Sequence, residues 1–186
     1  MKNIGRILAL LLLSFLAFSC RNTDDIPEDI HEHEEIEKME LTLTEVGNLD
    51  HVQTITYIGG VADQKIHLEM GKEYSVALDF QVKHDDHYHS ALDEIEEEKE
   101  EHFITFEFAG VQTNVLRNAE DITRADGTRI GILSTWKINS APMDANVQIK
   151  LHHAATSVDM NFPSAENQQG KTTGGETDVN ATIGIQ

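Results

Sequence analysis

Cysteine occurs once in the 186 residues, at Cys20, so no disulfide within the chain can staple the fold. Proline occurs three times and tryptophan once. Basic residues are scarce, with 14 Lys and Arg against 33 Asp and Glu, giving a formal net charge of −19. Such a surface repels nucleic acid and anionic membrane faces and attracts cations. No apolar run reaches the ~20 residues that span a bilayer. The sequence has no CxxC pair, no HExxH, no Gly-rich phosphate loop and no GxSxG elbow, and the EF-hand ligand order is missing. With no nucleophile, cofactor loop or acid–base pair standing out, the reading is of a protein that is not an enzyme.

What is present begins at the start of the chain. Met1-Lys2-Asn3 and Arg6 make a short positive start, and residues 7–18 are apolar except for Ser14. This is the pattern of a secretion signal over residues 1–19. It closes on Leu16-Ala17-Phe18-Ser19-Cys20, which resembles the lipobox of bacterial lipoproteins. The resemblance implies a diacylglycerol on the Cys20 sulfur and cleavage before it, so that a lipid takes the place of a membrane span. Arg21-Asn22-Thr23-Asp24-Asp25 then resembles the acidic export tag behind the lipidated cysteine of surface lipoproteins in Bacteroidetes. A lipidated, acidic tether over residues 20–36 and a single domain over residues 37–186 follow. The place implied is the outer membrane, facing outward. Loss of Lys2 and Arg6 with the signal leaves 12 basic against 33 acidic residues.

Beyond residue 38 the dominant signal is period-two alternation in short runs, the pattern of half-buried strands. Strands are expected over residues 39–43, 52–58, 65–70, 74–82, 103–108, 130–138, 147–152 and 178–185. Tyr74, Val76, Leu78, Phe80 and Val82 should share one face. Ala125-Asp126-Gly127-Thr128 predicts a tight turn. Many short strands with few helices predict an all-β antiparallel sandwich, with the immunoglobulin-like type the first choice. Residues 153–176 are polar and Gly-rich and predict a flexible loop.

The ten histidines cluster, and that is the informative feature. Residues 83–102 form an acidic insertion with four histidines and nine carboxylates. Imidazole nitrogen and carboxylate oxygen suit Zn²⁺, and imidazole also suits Cu²⁺ and Ni²⁺. His84, His87 and His89 fall within six residues, and in an extended chain His87 and His89 point the same way. A helix over residues 91–101 would stack Glu94, Glu98 and His102 at four-residue steps. One shell is therefore expected, with His84, His87 and His89 as nitrogen ligands and Glu98 and His102 folding back. His31 and His33 repeat the alternate spacing in the tether. Of His152 and His153, at least one should be a hydrogen-bonded structural histidine; His51 and His67 carry only a structural reading.

Glu96-Glu97-Glu98-Lys99-Glu100-Glu101-His102 leading into Phe103-Ile104-Thr105-Phe106 resembles small lipoproteins of Flavobacteria. So do Leu151-His152-His153 and Gly174-Gly175-Glu176-Thr177-Asp178. That group is loosely labelled a type 1 periplasmic-binding-fold superfamily, and it often accompanies TonB-dependent outer-membrane receptors. The resemblance implies a receptor partner and carries His102 and His153 over as metal ligands. Its α/β label conflicts with the alternation, since this chain lacks the alternating helices of such a fold. Three functions follow: a surface lipoprotein binding Zn²⁺ or Cu²⁺, an adhesion or structural module with a merely solvated acidic loop, and capture of haem or another metal complex.

Overall fold

The structure, a computed structural model, describes residues 35–186. The signal, Cys20, His31 and His33 lie outside the described residues. Alternation sets the architecture: an all-β sandwich with a seven-stranded antiparallel sheet on one side and a three-stranded antiparallel sheet on the other. Among the described residues, no helix is long and apolar enough to cross a membrane.

The large sheet is built on β1 (Ile36–Glu45) and β4 (Glu73–His84). Met39, Leu41 and Leu43 lie opposite Phe80, Leu78 and Val76, and all six are buried. Directly opposed apolar pairs on one face fix the register, because a slip by one residue would turn every one of them to water. β2 (Val52–Ile58) and β3 (Val61–Ala62) extend this sheet beyond β1. β5 (His87–Ser90) folds back on the end of β4. After the helix α1 (Leu92–Glu97), the small sheet begins with β6 (His102–Ala109).

β7 (Thr113–Arg117) and β8 (Leu133–Ile138) return to the large sheet. β9 (Ala145–His153) and β14 (Glu176–Ile185) complete the small one in the order β14-β9-β6. Their inward residues pair across the ladders: Ile104 with Leu151 and that with Val179, then Phe106 with Ile149 and that with Ala181. Trp136 of β8 is fully buried between the sheets, with Phe106 and Phe108 edge-on at 5.7 and 5.0 Å between ring centroids. T-shaped contacts of this kind add to what area burial alone contributes.

Several expectations need correction. Residues 65–70 form no regular strand; Ile66 makes a single parallel bridge to Ile185, and the Gln53 side-chain amide bonds both the N–H and the carbonyl of His67. Ile66 and Leu68 are buried all the same, so alternation reported burial there without a ladder. Regular strand structure in the 130–138 segment starts only at Leu133. Residues 153–176 are no open loop. β10 (Ser157–Asp159) pairs β13 (Lys171–Thr173), and β11 (Pro163–Ser164) pairs β12 (Asn167–Gln168).

A buried arginine ties this excursion to the body. Arg117 is 4% exposed. Its guanidinium donates to the carbonyls of Ile104 (2.6 Å), Arg129 (2.9 Å) and Gln168 (3.3 Å), and it lies over the Phe103 ring at 4.3 Å. Burial pulls its pKa down to about 10, against the favourable charge of Asp121. Gly131 and Gly170 both take positive φ, and a Cβ on either would strike the guanidinium. Asp121, itself pushed up by burial, accepts the backbone N–H groups of Gly131 and Leu133 at 2.7 and 3.0 Å.

Candidate metal centre

The centre grows from the place where the helix meets the small sheet. Ala91 and Ile95 are buried and seat α1 on the core. The helix is shorter than expected: α1 stops at Glu97, and the chain then tightens, with Glu101 N–H donating to the Glu98 carbonyl at 2.8 Å. Four consecutive charged residues, Glu98 to Glu101, have little to bury and no reason to prolong a helix on an apolar face. The turn is pinned from outside. Arg124 donates to the carbonyls of Lys99 and His102, and Ala154 N–H donates to the Glu101 carbonyl at 2.9 Å. Glu98 and His102 are thereby held at fixed spacing.

β6 starts at His102, and ladder register sets it directly opposite His153, the last residue of β9. Their rings are 5.1 Å apart between centroids. Glu98, His102 and His153 each offer a ligand atom, and the three atoms lie within 4.8 Å of one another. No other such group of three histidine, cysteine or acidic residues occurs among the described residues. His102 Nδ1 faces the Glu98 carbonyl at 3.2 Å, so it carries the hydrogen, and Nε2 keeps the lone pair that a metal needs.

Two further carboxylates stand beside the imidazoles. Glu101 Oε2 is 2.9 Å from His153 Nε2, and Asp178 Oδ2 is 3.9 Å from His102 Nε2. Asp178 is placed by a β-bulge: the β14–β9 register jumps between Thr177 and Val179, leaving Asp178 without a ladder partner. Bulges of this kind re-aim a side chain that regular alternation would send elsewhere. Asp178 also lines an open groove with Ile36, Lys38, Tyr57 and Asn180. Two imidazoles with one to three carboxylates make a mixed nitrogen–oxygen set that suits Zn²⁺ or Cu²⁺ better than Ca²⁺, which prefers oxygen alone.

The six ligands expected from sequence thus fall into two groups rather than one shell. Glu98, His102 and His153 are together. His84, His87 and His89 sit on the β4–β5 hairpin and contribute nothing to that group. Glu101 and Asp178 were missed; Glu101 lay inside the acidic run without a distinguishing mark, and Asp178 depends on a bulge that no sequence pattern announces. His152 takes the structural role, with Nε2 at 2.9 Å from Thr105 Oγ1 and Nδ1 at 3.4 Å from Thr172 Oγ1. His51 pairs with Glu45 at 2.7 Å, and His67 lies 3.6 Å from Glu69.

Burial holds the His102 imidazole below its ordinary pKa, and the neighbouring His153 adds to this. Burial does the same for His152, helped by Lys150. As pH falls past ~6.5, the unfolded chain takes up protons that these two native rings refuse. Their contribution to stability is therefore complete above about pH 7 and is lost as pH falls toward the folded values. With chelator present, the urea midpoint should drop between pH 7.5 and 5.5, and the drop should be smaller in His152→Gln. A midpoint flat over that range would show that neither ring stays neutral in the native state.

Comparison of the chain with protein-family models, with curated proteins and with solved structures finds no match.

Proposed function

We propose that this protein is an envelope lipoprotein, anchored through Cys20, that holds a divalent transition ion, Zn²⁺ or Cu²⁺, on Glu98, His102 and His153. The observation that carries the reading is the convergence of one carboxylate and two imidazoles from a helical turn and two strands to within 4.8 Å. His102 and His153, 51 positions apart in sequence, meet there by strand register, which a merely solvated acidic run has no reason to arrange. The charge balance supports it, since a strongly acidic surface concentrates cations near the site. A TonB-dependent receptor that takes up the ion is the partner proposed from the sequence resemblance, with the membrane reached through the lipid and no nucleic acid involved.

The test is calorimetric titration of the full chain with Zn²⁺, Cu²⁺ and Ca²⁺, repeated for His102→Ala and Glu98→Gln. Zn²⁺ and Cu²⁺ should bind well ahead of Ca²⁺. Loss of His102 should weaken this site by more than the roughly 10–100-fold typical of losing an outer-shell partner. Equal affinity for all three ions, insensitive to both substitutions, would mean that the acidic surface attracts cations without a site.

A further inference from the structure

We infer that the β4–β5 hairpin carries a second transition-metal site, made by His84, His87 and His89 and separate from the Glu98 group. The turn between the strands is two residues long, Asp85-Asp86, with Asp85 in the left-handed region at φ +56°. An aspartate accepts that conformation more readily than most residues. The resulting register pairs His84 directly with His87. Directly opposed residues share a face of an antiparallel pair, and so do residues two apart on one strand. His84, His87 and His89 therefore all project from the same face, a coincidence of turn length and spacing that a shift by one residue would destroy.

The three rings are neighbours, although their ligand atoms stand farther apart than those of the Glu98 group. Their centroids are 6.2 Å apart for His84 and His87, 6.0 Å for His84 and His89, and 6.5 Å for His87 and His89. Three imidazoles ligating one ion at ~2.0–2.1 Å hold their ring centres roughly 5–5.5 Å apart. Exposed side chains close a gap of about 1 Å by small rotations about χ1 and χ2, with no movement of the backbone.

The turn aspartates supply an independent indication. Asp86 Oδ1 lies 3.3 Å from His87 Nδ1, and Asp85 Oδ2 lies 3.7 Å from His84 Nδ1. A carboxylate facing Nδ1 favours hydrogen there and leaves Nε2 as the ligand, the arrangement that orients histidines around metals. The platform is also fixed. Ser90 Oγ donates to Asp79 at 2.5 Å, and the Lys38 ammonium lies over the Tyr88 ring at 5.5 Å. Because its ligands are imidazoles alone and its face is open, this site takes borderline ions, Cu²⁺, Ni²⁺ or Zn²⁺, and leaves coordination positions for water or an incoming ligand.

Cu²⁺ electron paramagnetic resonance of the full chain, in a background with His31→Ala and His33→Ala, tests the assignment. Two signals are expected, one with three coupled nitrogens and one with two. The variant H84A/H87A/H89A should lose the three-nitrogen signal and keep the other, and H102A/H153A should do the reverse. All three changes are on an exposed hairpin, so the far-ultraviolet circular dichroism should not move. If H84A/H87A/H89A keeps the three-nitrogen signal, or if either variant abolishes both signals together, the separate hairpin site is wrong. If H102A/H153A changes nothing while the hairpin variant loses its ion, the Glu98 group fails as a site and the hairpin site stands.

Discussion

Replacing Arg117 with methionine is expected to lower the unfolding free energy by about 3 kcal/mol, a large part of the ~5–15 kcal/mol that holds a domain together. The substitution strands the carbonyls of Ile104, Arg129 and Gln168, whose donors come from one guanidinium. Each buried acceptor left without a donor costs roughly 1–3 kcal/mol. Part of this is offset, because the native state no longer has to hold a cation in a dry site, the cost recorded in a pKa pulled down to about 10. Asp121 then keeps its two backbone donors but loses the charge that faces it. Lysine should not rescue: one ammonium on a flexible stem cannot span three carbonyls from three segments as a planar fork does. Urea unfolding reads the result through a lower midpoint at unchanged slope. A loss under ~1 kcal/mol would mean that those carbonyls find other partners, and the brace assigned to Arg117 would have to be given up.

Cys20→Ala should be all-or-none. On the lipobox reading the single cysteine is the one acceptor for a lipid, and no later run is apolar enough to replace it. Metabolic labelling with a radioactive fatty acid should mark the wild type and leave the variant blank. Cell fractionation should move the variant out of the detergent-soluble membrane fraction. Metal binding should survive, since Glu98, His102 and His153 lie in the folded domain. A variant that still carries label and sediments with membranes would overturn the lipobox reading.

How far the sequence speaks differs between fold and site. Alternation exposes the inward faces directly: Tyr74, Val76, Leu78, Phe80 and Val82 all lie in the core. It reports burial, and burial can arise without a ladder, as at Ile66 and Leu68. It carries no pairing information, so the division into seven and three strands could not be read from it. β7 was missed because Thr113 and Arg117 occupy inward positions, and a polar pair at both ends hides a five-residue strand. The excursion at 153–176 looks polar because it folds around a charge, with Gln168 spending its side chain and carbonyl on Arg117. For the centre, helical spacing named Glu98 and His102, but the helix ends at Glu97 and a turn joins the two instead. Glu94 from the same expected face is not in the group, and His153 came through resemblance. The meeting of the two histidines depends on the β6–β9 register, and Asp178 on a bulge, both long-range outcomes of packing.

The position of β14 bears on how the protein is made. Its residues Val179, Ala181, Ile183 and Ile185 supply one edge of the inner face of the small sheet, and Gln186 still bonds Ile66 and Leu68. The paired strands β1 and β4 emerge early, but the small sheet that covers the apolar face they build is incomplete until β14 joins β9. At synthesis rates of about 5–20 residues per second, roughly 5–20 s separate the release of His84 from that of Ile185. During that interval the chain has every strand of the large sheet in hand or on the way and no closed core. For the exported lipoprotein proposed above, such a delay would let folding wait on translocation instead of competing with it.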